Sequence, residues 1–430
     1  MKSRIILCIM LLSSSCSFAK ELTFDIDKLI KIALHNSPDI KISQLNFDAS
    51  KARERFAIGY YYPHIDVSAR GGKEWSKLKK EPFGDIDIIS GKISASQLLY
   101  DFGKQQSIVH SHTQEALAYK AQMYQTISQK ILQVKQVYYE ILKAKGIEEA
   151  KRKNLQLQKH QLYRAKKYLK AGIRTIIDVS DAKIRLQQAK RDLINAKYNT
   201  KTLYAQLEQI LGQKPSTQAY SVYVPKFSTK KLSYKIPIIK EPLYKLEEFA
   251  YKHRYILKSA SHIIKQSKAN LSATHKEYYP TISLNADYSN QHIDSKVLTT
   301  MPQEQSHITL NMNLNLFNGY QTHSKEEEAK VNMLKAYAQE KSIRLAIKQE
   351  VVNAYISLKM SKENIALNEQ ILQTAKQKFQ QAQKRYENGL NDFIELQNAQ
   401  QDYIDALITL NNSYYDYFIS LAMLDYAIGR

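Results

Sequence analysis

The chain is written twice. A shift of 217 positions lays Tyr61-Tyr62-Pro63 on Tyr278-Tyr279-Pro280, Leu99-Tyr100 on Leu316-Phe317, Tyr138 on Tyr355 and Gly172 on Gly389. Ala182 and Ala189 fall on Ala399 and Ala406 by the same shift. A unit this long is no solenoid repeat; it describes a duplicated half-molecule with pseudo-two-fold construction. What one half does at a turn, a strand or a helix end, the other is expected to do again. Duplication followed by ring assembly is also a route by which a chain comes to line a pore.

Lys2 and Arg4, the apolar run Ile5 to Leu12 and the small residues in Ser17-Phe18-Ala19 predict a secretory signal peptide over residues 1–19. The run is too short to span a bilayer. Cleavage after Ala19 removes Cys8 and Cys16, both of the chain's cysteines, and with them any disulfide or Cys-ligated metal. A second option is lipidation of Cys16, against which Ser13 stands where such signals want Leu. Loss of Lys2 and Arg4 takes the formal charge from +22 to +20. Lys and Arg are spread among Gln and Glu without a compact basic motif, so the excess reads as solvated helix faces with a loose affinity for anionic surfaces.

Proline sets the layout. Stretches 83–214 and 303–430 contain none, and within them 104–171, 175–212, 320–388 and 392–429 predict helices rich in Gln, Lys, Ala, Leu and Glu. Their periodicity is seven. Val351, Leu358, Ile365, Leu372, Phe379 and Tyr386 alternate with Ala354, Ser361, Asn368, Ala375 and Ala382, and the stripe recurs as Val134, Ile141, Glu148, Leu155, Leu162 and Leu169 in the first half. The return helix carries Leu396, Tyr403, Leu410, Tyr417 and Leu424 against Ala399, Ala406, Ser413 and Ser420. Large residues in one register and small ones in the other suit knobs-into-holes packing of coiled-coil hairpins. The stripe is narrow, so water must cover much of each helix.

Gly172 and Gly389 sit at the hairpin tips, where a positive φ ends the ascending helix. Helices are also predicted near 25–60 and 243–278. Segment 104–171 would run about 100 Å at 1.5 Å per residue, and two shorter helices end to end match that length in each half. That is the pattern of a hollow helical cylinder.

Between helices the period changes to two. Ser306 to Phe317 alternates Ile308, Leu310, Met312, Leu314 and Leu316 with Thr309, Asn311, Asn313 and Asn315, and its counterpart carries Ile93, Ala95, Gln97 and Leu99. Strands after the two Tyr-Pro pairs read Ile65, Val67, Ala69 and Ile282, Leu284, Ala286 against polar partners. Each has about the length of a tilted membrane strand, and the alternation is that of a transmembrane barrel with a wet lumen. Four strands cannot close a barrel and open edges are forbidden in lipid, so oligomerisation is expected; three copies would supply twelve strands and twelve coiled helices.

Tyr61, Tyr62, Tyr100, Tyr278, Tyr279 and Phe317 cluster where strands meet helices and predict a membrane-interface aromatic belt, with core packing as the alternative. Segments 71–86 and 291–305 read as surface loops. The expected organisation is a first structural repeat over 20–212, a linker over 213–242 and a second repeat over 243–430.

These features together resemble the TolC family of trimeric outer-membrane channel proteins. The carrying residues are Asn36-Ser37-Pro38, Tyr62-Pro63, Leu99-Tyr100-Asp101-Phe102-Gly103 with Leu316-Phe317-Asn318-Gly319, and the tips Ala171-Gly172-Ile173-Arg174-Thr175-Ile176-Ile177-Asp178-Val179 and Asn388-Gly389-Leu390 through Asp392 and Glu395-Leu396. Two departures are His253-Arg254-Tyr255 where Asn-Ser-Pro would recur, and Glu395 for the Asp of the first tip.

The resemblance implies a mostly helical chain with a membrane β part. Long coiled-coil hairpins would form an α-barrel, and four strands per chain would enter a trimeric 12-stranded β-barrel. It implies a passive exit duct, in the outer membrane of a Gram-negative cell with helices in the periplasm, serving efflux or type I secretion. Expected partners are two further copies, a periplasmic adaptor (membrane fusion) protein, an inner-membrane pump or ABC transporter, and outer-membrane lipid; no nucleic acid is expected. Gly172, Ile173, Arg174, Thr175, Gly389, Leu390 and Asn391 are candidate adaptor contacts. Asp178, Asp392 and Glu395 are candidate aperture acids, with helix capping and dipole compensation as the competing role.

No Gly-rich phosphate loop, His-Glu-x-x-His or Gly-x-Ser-x-Gly stands in the sequence, so no catalytic residue or cofactor is expected. His110 and His112 lie two apart on a helix and point to different faces, so no metal is expected there. The rival reading from another class is an exported coiled-coil scaffold or adaptor without a pore.

Overall fold

A computed structural model of the protein describes residues 23–76, 84–173, 175–215, 221–222, 237, 241–295 and 303–430. The expected signal peptide, Arg174 and most of the expected linker lie outside the described residues. In chain order the elements are β1 (Thr23–Phe24), α1 (Ile26–Asn36), α2 (Pro38–Gly59), β2 (His64–Ser76), β3 (Gly84–Tyr100), α3 (Lys104–Lys170), α4 (Ile176–Ile210), β4 (Ser221–Val222), α5 (Leu243–His253), α6 (Tyr255–His275), a 3-10 turn (Lys276–Tyr278), β5 (Thr281–Ser295), β6 (Glu304–Asn313), α7 (Gln321–Glu387) and α8 (Phe393–Ile428). The repeat holds to the residue: α3 and α7 are both 67 residues long and start 217 positions apart, as do α1 and α5, and β2 and β5.

The chain divides into two compact units. One comprises Met1–Asn36, Val134–Pro237 and Leu367–Tyr415; the other Ser37–Gln133, Ile238–Ala366 and Asp416–Arg430. In the first unit, Leu29 and Ala33 of α1 meet Val134, Val137, Tyr138 and Ile141 of α3, Tyr204, Leu207 and Leu211 at the end of α4, and Tyr415 of α8. A second core joins Ala165, Ala182, Phe379, Ala382, Tyr386, Phe393, Leu396, Ala399 and Tyr403. The seven-residue stripe of α8 is buried at every expected position of both registers, from Leu396 to Leu424 and from Ala399 to Ser420. Thr23–Phe24 pairs in parallel with Ser221–Val222, a short bond between the chain start and the segment joining the repeats.

The second unit holds the sheet and a helical wall. Small residues let α3 and α6 approach closely: Ser107 Oγ lies 3.2 Å from Ser272 Oγ, and Ser259 donates to the Ala118 carbonyl at 3.1 Å. Gln105 likewise donates to the Ala57 carbonyl of α2 at 2.6 Å. The four-stranded sheet has the order β2-β3-β5-β6, antiparallel throughout.

Three expectations are corrected. The segments expected as single helices over 25–60 and 243–278 are each broken, at Ser37 and at Arg254, both in extended backbone. At Ser37 the following Pro38 disfavours helix in the residue before it; Arg254 adopts the same angles without a proline. In the expected loops 71–86 and 291–305 the described flanks are strand, because β2 runs to Ser76, β3 starts at Gly84, β5 runs to Ser295 and β6 starts at Glu304; the residues between lie outside the described ones. The strand expected to reach Phe317 ends at Asn313. Its counterpart β3 continues to Tyr100 because it is central, held by β2 and β5, whereas among the described residues β6 pairs only with β5.

Candidate functional site

The register sorts side chains by face. Pairings Val67↔Ile93, Ile93↔Tyr288, Ala95↔Ala286, Ala286↔Ile308 and Leu284↔Leu310 place the apolar residues of four strands on one surface. Ile65, Val67, Ile308, Leu310 and Met312 are exposed on it, Ile308 at 79%. From Ile282 to Tyr288 this apolar band is about 20 Å tall at 3.4 Å per residue, close to the height expected of a lipid-facing band. Among the described residues no helix is long and apolar enough to cross a membrane. Beyond the band the same surface turns polar, with Lys73 Nζ 3.4 Å from Asp87 Oδ1, and that polarity is why these strand ends read as loops.

The opposite surface is polar. It carries His64, Asp66, Ser68 and Arg70 on β2, Ser90, Lys92, Ser94 and Ser96 on β3, Asn285, Asp287 and Ser289 on β5, and Gln305, His307, Thr309 and Asn311 on β6. Asp287 Oδ2 lies 3.6 Å from Lys92 Nζ and 3.5 Å from His307 Nδ1, and His64 Nε2 lies 3.2 Å from Asp66 Oδ1.

At the helix end of the strands the aromatics gather. Tyr100 meets Phe102 edge-on and Phe102 stacks on Tyr279 at 5.3 Å, while Phe317 meets Tyr320 edge-on. Tyr61, Tyr62, Tyr100, Tyr278, Tyr279 and Phe317 are all exposed, so they cover the chain's surface instead of filling its core. The corners that carry them are built alike. Phe102 and Gly103 are both left-handed (φ 55 and 80), and so are Gly319 and Tyr320 (φ 67 and 64). The repeat pairs Phe102 with Gly319 and Gly103 with Tyr320, so the backbone path persists although the glycine has moved one place. Asp101 caps the first corner, accepting from Gly103 N and Gln105 N, and its counterpart Asn318 accepts from Thr322 N.

The tips also correspond. Gly172 and Gly389 take φ of 68 and 73, and the amide after each, Ile173 N or Leu390 N, bonds back to the carbonyl of Tyr168 or Arg385. Ile173 and Leu390 are exposed, with Ile176, Ile177 and Ile394 beside them; Gly172, Thr175 and Gly389 are exposed too. Asn391 is turned inward, its amide donating to the Ala382 carbonyl at 3.2 Å. The three acids act locally: Asp178 accepts from Thr175 N, Asp392 accepts from Glu395 N at 2.7 Å, and Glu395 lies 3.3 Å from Arg385 Nη1. Asp178 and Glu395 sit in the first turns of α4 and α8, and Asp392 caps α8 from the position before it; at all three a carboxylate is favoured by the helix dipole.

The sequence matches the Outer membrane efflux protein family over residues 29–213 and 250–430, once per repeat. The chain belongs to that family. It is similar to the outer membrane protein TolC of Vibrio cholerae, 24% identical with 92% of this chain and 89% of that protein covered. It is also 20% identical to the toluene efflux pump outer membrane protein TtgC of Pseudomonas putida, over 88% of this chain and 77% of that one. Among solved structures, the outer membrane protein VceC of Vibrio cholerae superposes with a TM-score of 0.79 at 19% identity, covering 94% and 96% of the two chains. The outer-membrane channel OprN gives 0.83 at 16%, covering 94% and 89%. This protein is an outer-membrane efflux channel component, with its strands in the outer membrane of a Gram-negative cell and its helices on the periplasmic side. The poreless scaffold is set aside by the family match.

Proposed function

We propose that three copies close one passive duct, whose hairpin tips engage a periplasmic adaptor joined to an inner-membrane pump. The observation that carries the reading is the sheet's pair of open edges. Within the described residues β2 pairs only with β3 and β6 only with β5, so each outer strand presents unpaired backbone groups beside an apolar, exposed surface. Lipid does not tolerate that edge, and a β6-to-β2 pairing between copies removes it. Exposed Ile173 and Leu390 next to left-handed glycines give the tips two apolar knobs for the adaptor, with Gly172, Thr175, Gly389 and Asn391 shaping the same turns and Arg174 proposed as a further contact from the sequence.

The test has two arms. Cysteine pairs scanned along β2 and β6 should yield a trimer on oxidation in outer-membrane fractions; a folded monomer with no inter-copy crosslink overturns the closure. A photo-crosslinking residue at Ile173 or Leu390 should capture a periplasmic partner, and Gly389→Trp should impair export while trimer yield stays intact. Unchanged export in that variant would refute tip docking. If the tips converge, Asp178, Asp392 and Glu395 would also ring the periplasmic aperture; Asp178→Asn with Asp392→Asn then lowers cation preference there, and an unchanged preference assigns them to capping alone.

A further inference from the structure

The chain's positive excess reads as evenly spread until the two hairpins are laid over one another. Residues 151–201 of the first hairpin carry 15 Lys and Arg against three Asp, whereas the equivalent 368–418 carry four against seven Asp and Glu. At single positions the sign reverses: Arg152, Lys170 and Arg185 stand where the second repeat has Glu369, Glu387 and Asp402. The backbone plan that the hairpins share does not demand this difference.

The second hairpin uses its acids internally. Glu369 accepts from the Tyr414 hydroxyl, Glu387 lies 2.7 Å from Arg164, Asp402 lies 2.7 Å from Lys378, Glu395 lies 3.3 Å from Arg385, Asp405 accepts from Gln401, and Asp392 caps α8. In the first hairpin Asp178 caps α4, and Asp192 is held by Lys151 and Arg191. Lys159, Lys166 and Lys170 of α3 differ: all three are exposed, and among the described residues none has an acid at ion-pair distance. Spacings of seven and four place them on one helix face, with exposed Tyr163 between. The face runs about 16 Å from Lys159 to Lys170, at 1.5 Å per residue. Ile173 and Ile176, exposed and apolar, follow at once. Compensation of the helix dipole does not account for it, because α7 ends on its own cations, Lys384 and Arg385, and still puts Glu387 where α3 has Lys170.

We infer that Lys159, Lys166 and Lys170, with Tyr163, form a cationic docking face on the first hairpin, and that its occupant is an acidic helical segment of the periplasmic adaptor. The inference rests on the adaptor reading above and adds to it the partner's charge, the hairpin it grips and the length it covers. Apolar knobs bordered by solvated cations follow the plan of a protein interface, an apolar centre with a charged rim. The anionic cell wall is the other periplasmic candidate, but its sugar-peptide mesh offers nothing apolar for Ile173 and Ile176 to meet. Opposite charge across such a rim steers encounter and rejects wrong partners more than it adds affinity. In a closed ring these faces recur on the first hairpins only, so an acidic partner is directed to one of two hairpins built on the same plan.

The test is a photo-crosslinking residue at Tyr163 of the full-length channel in intact cells, with the captured segment read by mass spectrometry. That segment should come from an exported protein and carry Asp or Glu at helical spacing; a captured segment without acidic excess overturns the inference. Lys159→Glu with Lys166→Glu and Lys170→Glu should cut the capture by about ten-fold or more, as like charges set against each other predict, with trimer yield unchanged. Should that variant fail to assemble, Lys159→Gln with Lys166→Gln and Lys170→Gln should still lower capture by about three-fold. Lys376→Glu, at the place on α7 that matches Lys159, should leave capture as in wild type. Lys in place of the captured segment's acids should restore capture by the triple Glu variant.

Wild-type capture and export by the triple variants overturn the inference. So does isolated peptidoglycan that sediments with the wild-type channel and not with the triple Glu variant, which hands the face to the cell wall. Capture at Ile173 that persists while these variants change nothing leaves tip docking standing and removes the cationic face alone, whereas no partner at either position removes both.

Discussion

The two repeats keep the same backbone with different side chains, and the helix breaks show how. At both breaks the chain is extended, with φ and ψ of −65 and 122 at Ser37 and −62 and 120 at Arg254. Both residues are 3% exposed. Opposite each break a left-handed glycine ends a return helix: Gly212 against Asn36, Gly429 against His253 and Arg254. The first break is made by Pro38, which cannot extend α1 and is well placed to begin α2. The second has Tyr255 instead, and is held by Arg254, whose Nη1 donates to the Tyr426 carbonyl at 2.9 Å and the Ala427 carbonyl at 3.3 Å. Its Nη2 lies 2.8 Å from Glu350, and its guanidinium lies over the Tyr426 ring. Covalent constraint in one half is matched by a buried cation satisfying helix-end carbonyls in the other.

That contrast is broken most sharply at the buried residues themselves. Arg254→Ala removes two charge-assisted bonds to carbonyls, an ion pair and packing, and should cost about 2–4 kcal/mol. Ser37→Ala should be close to neutral, since Ser37 Oγ is buried without a hydrogen-bond partner. Urea unfolding of the detergent-solubilised protein measures both; equal losses would show that the breaks are held in the same way. The facing glycines come next. A Cβ on Gly212 would overlap the Asn36 carbonyl oxygen, while one on Gly429 would stand 3.1 Å from the His253 carbonyl carbon. Both pay the left-handed penalty, so Gly429→Ala should cost about 1–2 kcal/mol and Gly212→Ala distinctly more. A larger loss at Gly429 would refute the steric ranking.

How legible this was depends on which force set each feature. Helix ends at Lys170, Glu387 and Ile210 lie within two residues of where composition and glycine placed them, because local propensity and a positive φ decide them. The stripe from Leu396 to Leu424 was legible because one face of α8 meets other helices along its length. The strand ends were not: Gly71, Lys73, His292 and Asp294 are polar or small where the sheet rises beyond the apolar band, and a polar strand looks like a loop. The break at Arg254 was hidden because its cause lies in carbonyls 172 and 173 positions away. Side chains at the tips could be named from the sequence, but the inward turn of Asn391 could not, since it depends on the Ala382 carbonyl it meets. The Asp287 centre escaped notice for a similar reason: Lys92, Asp287 and His307 are neighbours only through register.

The smallest expected difference between the repeats is electrostatic. His262 on α6 holds Gln114 Oε1 of α3 at 2.8 Å, and Gln114 in turn lies 3.4 Å from His110 Nε2. Burial, and then the charge of Lys265, lower the His262 pKa below its ordinary value. The equivalent position in the first repeat is Leu45, which is exposed and cannot titrate. A histidine whose folded pKa is depressed stabilises the fold above its unfolded pKa of about 6.5, and that contribution is lost as pH falls through this value toward the folded one. In that window the unfolded chain binds more protons than the folded chain, so acid favours unfolding. The unfolding midpoint should therefore drop modestly between about pH 7.5 and pH 5.5, and His262→Gln, which keeps an amide against Gln114, should flatten the drop. His262→Gln with the wild-type pH slope would show that the acid sensitivity of this wall lies elsewhere, while Leu45→Gln should leave the slope as it is.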